Sequence, residues 1–402
     1  MQRDKIPVLL LTGYLGSGKT TLLNRILSNR KGIRFAVIVN DIGEVNIDAE
    51  LIQKGGVVAQ QDDNLIALQN GCICCSLKMD LIQQLRDLCA AAMFDYIVIE
   101  ASGICEPAPI AQTICSYRQM VPTSGLRGAS IPKLDAVVTV VDALRMRDEF
   151  VEKLSGNRLS ESDMKKEDLA SLVIQQIEFC NVILLNKVSM VSEEERAHVR
   201  AILRAIQPKA KIIDCDYCDV PFGEILDTNL FDFEQVATSA TWIQKVEGDI
   251  EEEHEHHHHD HHHDHHHECD DPHCHCHNHG DEYGITTFVY YRRRPFDINR
   301  FDEFVARHWD KGIIRCKGMC YFEEEYDMCY LFEQAGKQFD LKQAGAFYAT
   351  MPQEELMQLM ARDPMLQRDW DEQYGDRMQK LVFIGQHINK EAITRALDEC
   401  LV

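Results

Sequence analysis

A chain of 402 residues with 45% hydrophobic content is long enough for two or three domains, each with a sizeable core. Its net charge of −23 repels phosphate backbones, so nucleic acid is excluded as a general partner. No apolar run approaches the roughly 20 residues a membrane span needs, and the early run Ile6 to Leu11 is too short for a secretory core. The 16 cysteines therefore read as free thiols and metal ligands of a cytoplasmic protein with no membrane partner, rather than as a disulfide framework.

The run Ile6 to Leu11 predicts a strand, and it leads directly into Gly13-Tyr14-Leu15-Gly16-Ser17-Gly18-Lys19-Thr20. That segment is a full G-x-x-x-x-G-K-T match, followed by the helical pattern from Thr21 to Leu27. Strand, glycine-rich loop and helix in this order make a phosphate site. Gly13, Gly16 and Gly18 let backbone N–H groups turn inward at a helix N-terminus, with Ser17 and Thr21 beside them. Lys19 reaches the β and γ phosphates, and Thr20 ligates Mg²⁺. An ordinary glycine-rich turn would not need both flanking elements.

Phe35 to Asn40 predicts the second strand, followed by Asp41-Ile42-Gly43-Glu44-Val45 where a P-loop GTPase keeps its first switch. Gly71-Cys72-Ile73-Cys74-Cys75 then supplies three thiols within four residues. Three sulfurs so close cannot all pair with one another but converge easily on a soft cation, so Cys72, Cys74 and Cys75 form a candidate Zn²⁺ site. The fourth position is left to Glu44, a histidine, water or an incoming ligand. Three small buried hydrophobes would be the bland alternative.

Tyr96 to Glu100 predicts a strand that ends in Glu100-Ala101-Ser102-Gly103. Glu100 can hold Mg²⁺ directly or through water, and the Gly103 N–H can bind the γ-phosphate. A strand-end turn with an incidental glutamate is the competing reading. Further strands are expected at Ala136 to Val141, Val182 to Asn186 and Lys211 to Ile213, with a surface excursion at Ser155 to Lys166 and a helix at Leu169 to Phe179. This alternation implies an α/β fold, a mostly parallel sheet covered by helices.

Between Lys245 and Arg292 there is no Lys or Arg, whereas thirteen acidic residues account for more than half of the net charge of −23. Fifteen of the 18 histidines fall there. They include His256, His257 and His258, then His265, His266 and His267, and finally His273, His275 and His277. Such a block cannot bury enough apolar surface to fold, and it is expected to be a linker. Imidazoles at this density bind Zn²⁺, Ni²⁺, Co²⁺ or Cu²⁺ in interchangeable geometries, as a buffer rather than a specific site. A solvated spacer or a purification tag would be the plain alternatives.

Beyond it, strands are expected at Gly284 to Tyr291, Ile313 to Phe322, Met328 to Phe332 and Leu381 to Gly385, with helices at Asn299 to Trp309 and Lys390 to Leu401. They suggest a small α+β domain. Arg292-Arg293-Arg294 reads as a solvated edge rather than a phosphate site, and Cys215-x-x-Cys218, Cys316, Cys320 and Cys329 read as structural thiols. The expected domains are 1–230, 231–283 and 284–402.

The assembled motifs resemble the CobW-like metallochaperone GTPases of the zinc-associated bacterial type, over nearly the full chain. The likeness rests on residues 13–20, 43–45, 70–75 and 100–103, on Asn186-Lys187, on the histidine-rich linker and on Val382 to Gly385. It implies GTP, Mg²⁺ and Zn²⁺ as cofactors, slow intrinsic hydrolysis, and metal delivery to client metalloproteins. In one place the chain departs from the pattern. The guanine-reading motif N-K-x-D appears as Asn186-Lys187-Val188-Ser189, so a hydroxyl stands where a carboxylate would accept from guanine N1–H and the 2-amino group. Ser189→Asp is accordingly expected to tighten GTP relative to ATP. No arginine finger can be assigned from spacing, which leaves that role to a client or to the second copy of a nucleotide-dependent homodimer. A histidine-rich storage protein with a regulatory P-loop, and a cobalt or nickel insertase, are the alternatives.

Overall fold

The computed structural model describes residues 5–28, 32–39, 65–69, 77–121, 130–152, 167–233, 283–336, 338–361, 366–367 and 370–402. The chain divides into two compact units, Met1–Ala240 and Thr241–Val402. Among the described residues no helix is long and apolar enough to cross a membrane.

The described residues of the first unit form seven strands. They are β1 (Lys5–Thr12), β2 (Phe35–Val39), β3 (Leu65–Gln69), β4 (Tyr96–Glu100), β5 (Ile131–Asp142), β6 (Val182–Asn186) and β7 (Lys211–Asp214). They pair in the order β3-β2-β4-β1-β5-β6-β7, and every pairing is parallel. β3 was not expected from the sequence, because Leu65-Ile66-Ala67-Leu68-Gln69 is a short apolar run without a distinguishing period. β1 lies at the centre with a strand on each side, which explains its unbroken apolar run: Val8, Leu9, Leu10 and Leu11 are all fully buried.

Parallel pairing puts all the strand C-termini on one edge, and the register aligns them there. Leu11 and Val39 both stand opposite Glu100, Asp142 opposite Asn186, and Leu185 opposite Asp214. Helix α1 (Lys19–Ser28) leaves from that edge and buries Leu22, Leu23 and Ile26 against the sheet. Helix α2 (Glu193–Ile206) starts with a reciprocal Ser192/Glu195 capping box and seats Val199, Ile202, Leu203 and Ile206 at helical spacing. At the opposite edge, Asp135 is buried and accepts from Tyr96 Oη at 2.5 Å, from the Asn229 N–H at 2.5 Å and from the Thr228 N–H at 3.2 Å. These bonds tie the segment after β7 back onto the sheet.

The second unit is an antiparallel sheet of β8 (Ile285–Arg292), β9 (Ile313–Cys320), β10 (Met328–Ala335), β11 (Gln338–Ala346) and β12 (Gln379–Gln386), in the order β11-β10-β9-β12-β8. β11 was also unforeseen, since Gln338 to Ala346 is almost wholly exposed and carries no buried stripe to betray it. Helices α3 (Ile298–Glu303) and α4 (Lys390–Asp398) contribute to an aromatic core in which Phe288 stacks on Phe383 at 5.0 Å and Phe296 on Phe301 at 5.0 Å. Cys316, Cys320 and Cys329 are buried in this unit, as packing thiols would be.

The arginine triplet lies on the expected edge and stays partly exposed, yet each side chain also has defined partners. Arg292 forks onto Asp398 through Nε and Nη2, both at 2.8 Å. Arg293 donates to the Gly375 and Arg377 carbonyls, and Arg294 donates to the Val402 carbonyl. β8 is indeed an edge strand, but its cations tie the end of the chain to the sheet.

Candidate functional site

The loop between β1 and α1 bends through three glycines with positive φ: Gly13 at 134°, Gly16 at 78° and Gly18 at 118°. Two of them are also enforced by space. A Cβ on Gly13 would stand 2.3 Å from the Val140 carbonyl, and one on Gly18 would stand 2.5 Å from Asn186 Nδ2. The Ser17 N–H closes the turn onto the Tyr14 carbonyl at 3.1 Å, and Lys19 Nζ donates to the same carbonyl at 3.3 Å. Ser17 Oγ is buried without a hydrogen-bond partner among the described residues. A buried hydroxyl left in this state, beside a helix whose first turn holds no acidic residue, fits an anion in the concavity.

Thr20 Oγ1 donates to Glu100 Oε1 at 3.1 Å. Thr20 comes from the first turn of α1 and Glu100 from the end of β4, and their oxygens lie together at the mouth of the loop. A hydroxyl and a carboxylate so placed fit a hard cation such as Mg²⁺. Glu100 is buried, so its charge is shielded from bulk water. Gly103 follows it on the β4 loop, where an added Cβ would meet both Leu15 N and Leu15 Cγ at 2.8 Å. The two loops touch backbone to backbone. The Gly103 carbonyl also accepts from Gln176 Nε2 at 3.3 Å, which ties it to the helix Glu167–Glu178.

Asn186 at the end of β6 clasps the phosphate loop from the far side. Its Nδ2 donates to the Ser17 carbonyl at 2.8 Å, and its Oδ1 accepts from the Cys218 N–H at 3.0 Å. Lys187 follows in left-handed conformation at φ 62° and pairs with Asp142 at 2.5 Å. Ser189 donates to Asp216 Oδ1 through both N–H, at 3.1 Å, and Oγ, at 2.8 Å.

The Cys215 and Cys218 pair is closer to the chemistry than sequence spacing suggests. Cys218 Sγ lies 3.4 Å from the Gly18 carbonyl, and Cys215 Sγ lies 3.8 Å from Asn186 Oδ1. A hydrogen bond from Cys218 holds the Cys215 thiol below its ordinary range, while Cys218, the donor and itself buried, is pushed well up. Both thiols brace the loop and neither is exposed. Asp142, Asp216, Leu15 and Cys218 were not anticipated as parts of the site. They are brought to it by three different strand ends, and no local pattern marks them as neighbours.

The described residues thus gather Gly13, Gly16, Ser17, Gly18, Lys19, Thr20, Glu100, Gly103, Asn186, Lys187 and Ser189 at one edge of one sheet, with Thr21 on the first turn of α1. Glu44, Cys72, Cys74 and Cys75 lie outside the described residues. So do the excursion 155–166 and the whole histidine tract. Among the described residues, no group of three or more His, Cys, Asp or Glu could hold a metal ion.

Residues 7–214 match the family model "CobW/HypB/UreG, nucleotide-binding domain", and residues 285–401 match "Cobalamin synthesis protein cobW C-terminal domain". The chain belongs to the CobW family. It is 34% identical over 414 residues to the zinc-regulated GTPase metalloprotein activator 1 of Dictyostelium discoideum, across 99% of this chain and 80% of that one. It is 32% identical over 241 residues to the zinc chaperone YjiA of Escherichia coli, across 59% of this chain and 65% of YjiA. A third relative, the zinc chaperone CobW of Pseudomonas aeruginosa, is 32% identical over 235 residues, 56% of this chain and 60% of its own. As a CobW-family P-loop protein the chain is a nucleoside triphosphatase, and its motifs are those of the GTPases.

Proposed function

We propose that this protein is a GTP-hydrolysing zinc metallochaperone in which nucleotide state controls metal held by Cys72, Cys74 and Cys75. The observation that carries the reading is the contact between the two loops: Leu15 of the phosphate loop lies against Gly103, and Thr20 lies against Glu100. A change at the γ-phosphate position would be felt on both sides of that contact.

Lys19 and the inward N–H groups bind the triphosphate and take up charge as the γ-phosphoryl leaves. Thr20 and Glu100 would hold Mg²⁺, which neutralises the phosphate oxygens when bound. The Gly103 N–H would bind the γ-phosphate, and the close packing of Gly103 on Leu15 links its position to the phosphate loop. Glu44 lies on the expected first switch, between the nucleotide and the thiols in sequence. Ordering of that segment would draw the three sulfurs together, and hydrolysis would relax them for transfer to a client metalloprotein. The chain is organised as a GTPase unit at 1–230, an acidic histidine-rich linker at 231–283 that raises the local concentration of metal, and a C-terminal unit at 284–402. It works in the cytoplasm, and a nucleotide-dependent second copy or the client completes the hydrolytic site.

Zinc affinity measured with and without a non-hydrolysable GTP analogue tests the coupling. The two values should differ severalfold; equal values would remove nucleotide control. Lys19→Ala should lower GTP hydrolysis at least about a hundredfold while leaving zinc held by the histidine tract in place. Retained delivery to a zinc-dependent client in that variant would favour storage over switching.

A further inference from the structure

Residue 189 is a serine where the guanine-reading motif would place a carboxylate, yet a carboxylate stands one hydrogen bond away. Asp216, on the loop after β7, accepts from Ser189 N–H at 3.1 Å and from Ser189 Oγ at 2.8 Å, both on Oδ1. Its loop is fixed in this position by the backbone. The Cys215 N–H donates to the Leu185 carbonyl at 2.9 Å, the Val188 N–H to the Cys215 carbonyl at 3.4 Å, and the Asp219 N–H to the Asp216 carbonyl at 3.0 Å. Tyr217 and Cys218 then turn in left-handed conformation, at φ 51° and 55°, and hold Asp216 beside the Ser189 turn.

We infer that Asp216 is the guanine-reading carboxylate of this protein, presented through Ser189 rather than from the motif position itself. Two donors saturate Oδ1, and Oδ2 has no partner among the described residues. Guanine needs an acceptor for N1–H and another for the 2-amino group. Oδ2 supplies the first. The Ser189 hydroxyl, whose proton is committed to Asp216, offers a lone pair for the second. Adenine presents an N1 acceptor in the same place, and the carboxylate repels it. The anionic hydrogen bond is thereby kept, moved from one strand-end loop to its neighbour, with Ser189 as the positioning group. This inference rests on residues 13–20 holding the triphosphate.

The test is competition of GTP, ITP, XTP and ATP against a fluorescent guanine nucleotide on the full chain, with Mg²⁺ present. Wild-type protein should prefer GTP over ITP, which lacks the 2-amino group, and over ATP, by on the order of tenfold to a hundredfold each. Asp216→Asn replaces the acceptor that faces N1–H with an N–H₂ donor, which opposes the N1–H of guanine, hypoxanthine and xanthine and suits the N1 lone pair of adenine. It should lower GTP affinity by at least roughly tenfold and narrow or reverse the preference over ATP in the same protein. A residue that only braced the loop would weaken all four nucleotides alike. Ser189→Asp, which would set two carboxylates a hydrogen bond apart, should weaken GTP instead of tightening it. Unchanged base preference in Asp216→Asn, or tighter GTP binding in Ser189→Asp, would overturn the assignment. The ITP comparison needs no substitution, so equal binding of ITP and GTP by wild-type protein would overturn it even if a variant failed to fold. A wild-type chain that bound none of the four would instead sink the phosphate-site reading, and this assignment with it.

Discussion

The two units contain sheets of similar size that do different things with their strand ends. In the parallel sheet of the first unit, β1, β4, β5 and β6 all finish on one edge, and each finishes in a residue of the site or runs straight into one: Thr12 before Gly13, then Glu100, Asp142 and Asn186. In the second unit neighbouring strands alternate, so their ends scatter between two edges and no such gathering arises. Its organising feature is a face instead, the one packed with Phe288, Phe296, Phe301, Phe332 and Phe383. Parallel strands concentrate chemistry at an edge, and antiparallel strands concentrate hydrophobic burial on a side.

If that contrast is right, damage to the aromatic face should cost stability and spare nucleotide binding. Phe383 is fully buried, stacked on Phe288 and 5.9 Å from Trp309, so Phe383→Ala should cost about 4 kcal/mol. Urea unfolding followed by tryptophan fluorescence would show it, because Trp309 and Trp370 lie in this unit. GTP affinity should stay within about twofold. A large loss of affinity would mean that the division of labour is wrong.

The converse substitution sits at the edge. Gly103→Ala drives a methyl group into Leu15 backbone, which cannot yield without moving the phosphate loop. Hydrolysis should fall about tenfold, roughly 1.4 kcal/mol in the barrier, with little change in thermal stability. Unaltered turnover would show that the two loops are not linked mechanically.

The smallest effect expected is a pH dependence in the second unit. Burial pushes the Glu333 carboxyl up, but Lys317 at 2.7 Å and Arg315 at 3.8 Å more than offset this and hold it below its ordinary 4.5. A lowered folded pKa means that this stabilisation is present above about pH 4.5 and lost as pH falls through the folded value. Glu333→Gln should therefore flatten the acid limb of the unfolding curve slightly, and an unchanged limb would remove Glu333 from the account.

Much of this was legible in the residues, unequally. Strand, G-x-x-x-x-G-K-T and helix could be recognised together because the three positive-φ glycines, the lysine and the threonine are contiguous, so local geometry alone makes the loop. β4 with Glu100 and β6 with Asn186 were equally plain from short apolar runs ending in polar residues. β3 and β11 were missed for opposite reasons, one too short to show a period and the other too exposed to have one. The partners of the arginines at the end of β8 were not foreseen, because Asp398 and Val402 lie about a hundred residues away.

What the sequence determined unaided was the phosphate loop, the α/β character of the first unit and the chemistry available in the chain's cysteine and histidine clusters. Backbone conformation and donor type are properties of neighbouring residues. Only the tertiary structure decided which strand ends share an edge. It brought Leu15 against Gly103, Cys218 against Gly18, and Asp216 to the serine at position 189. These contacts depend on strand order and parallel register, and no local pattern encodes how seven strands will sort themselves in a sheet.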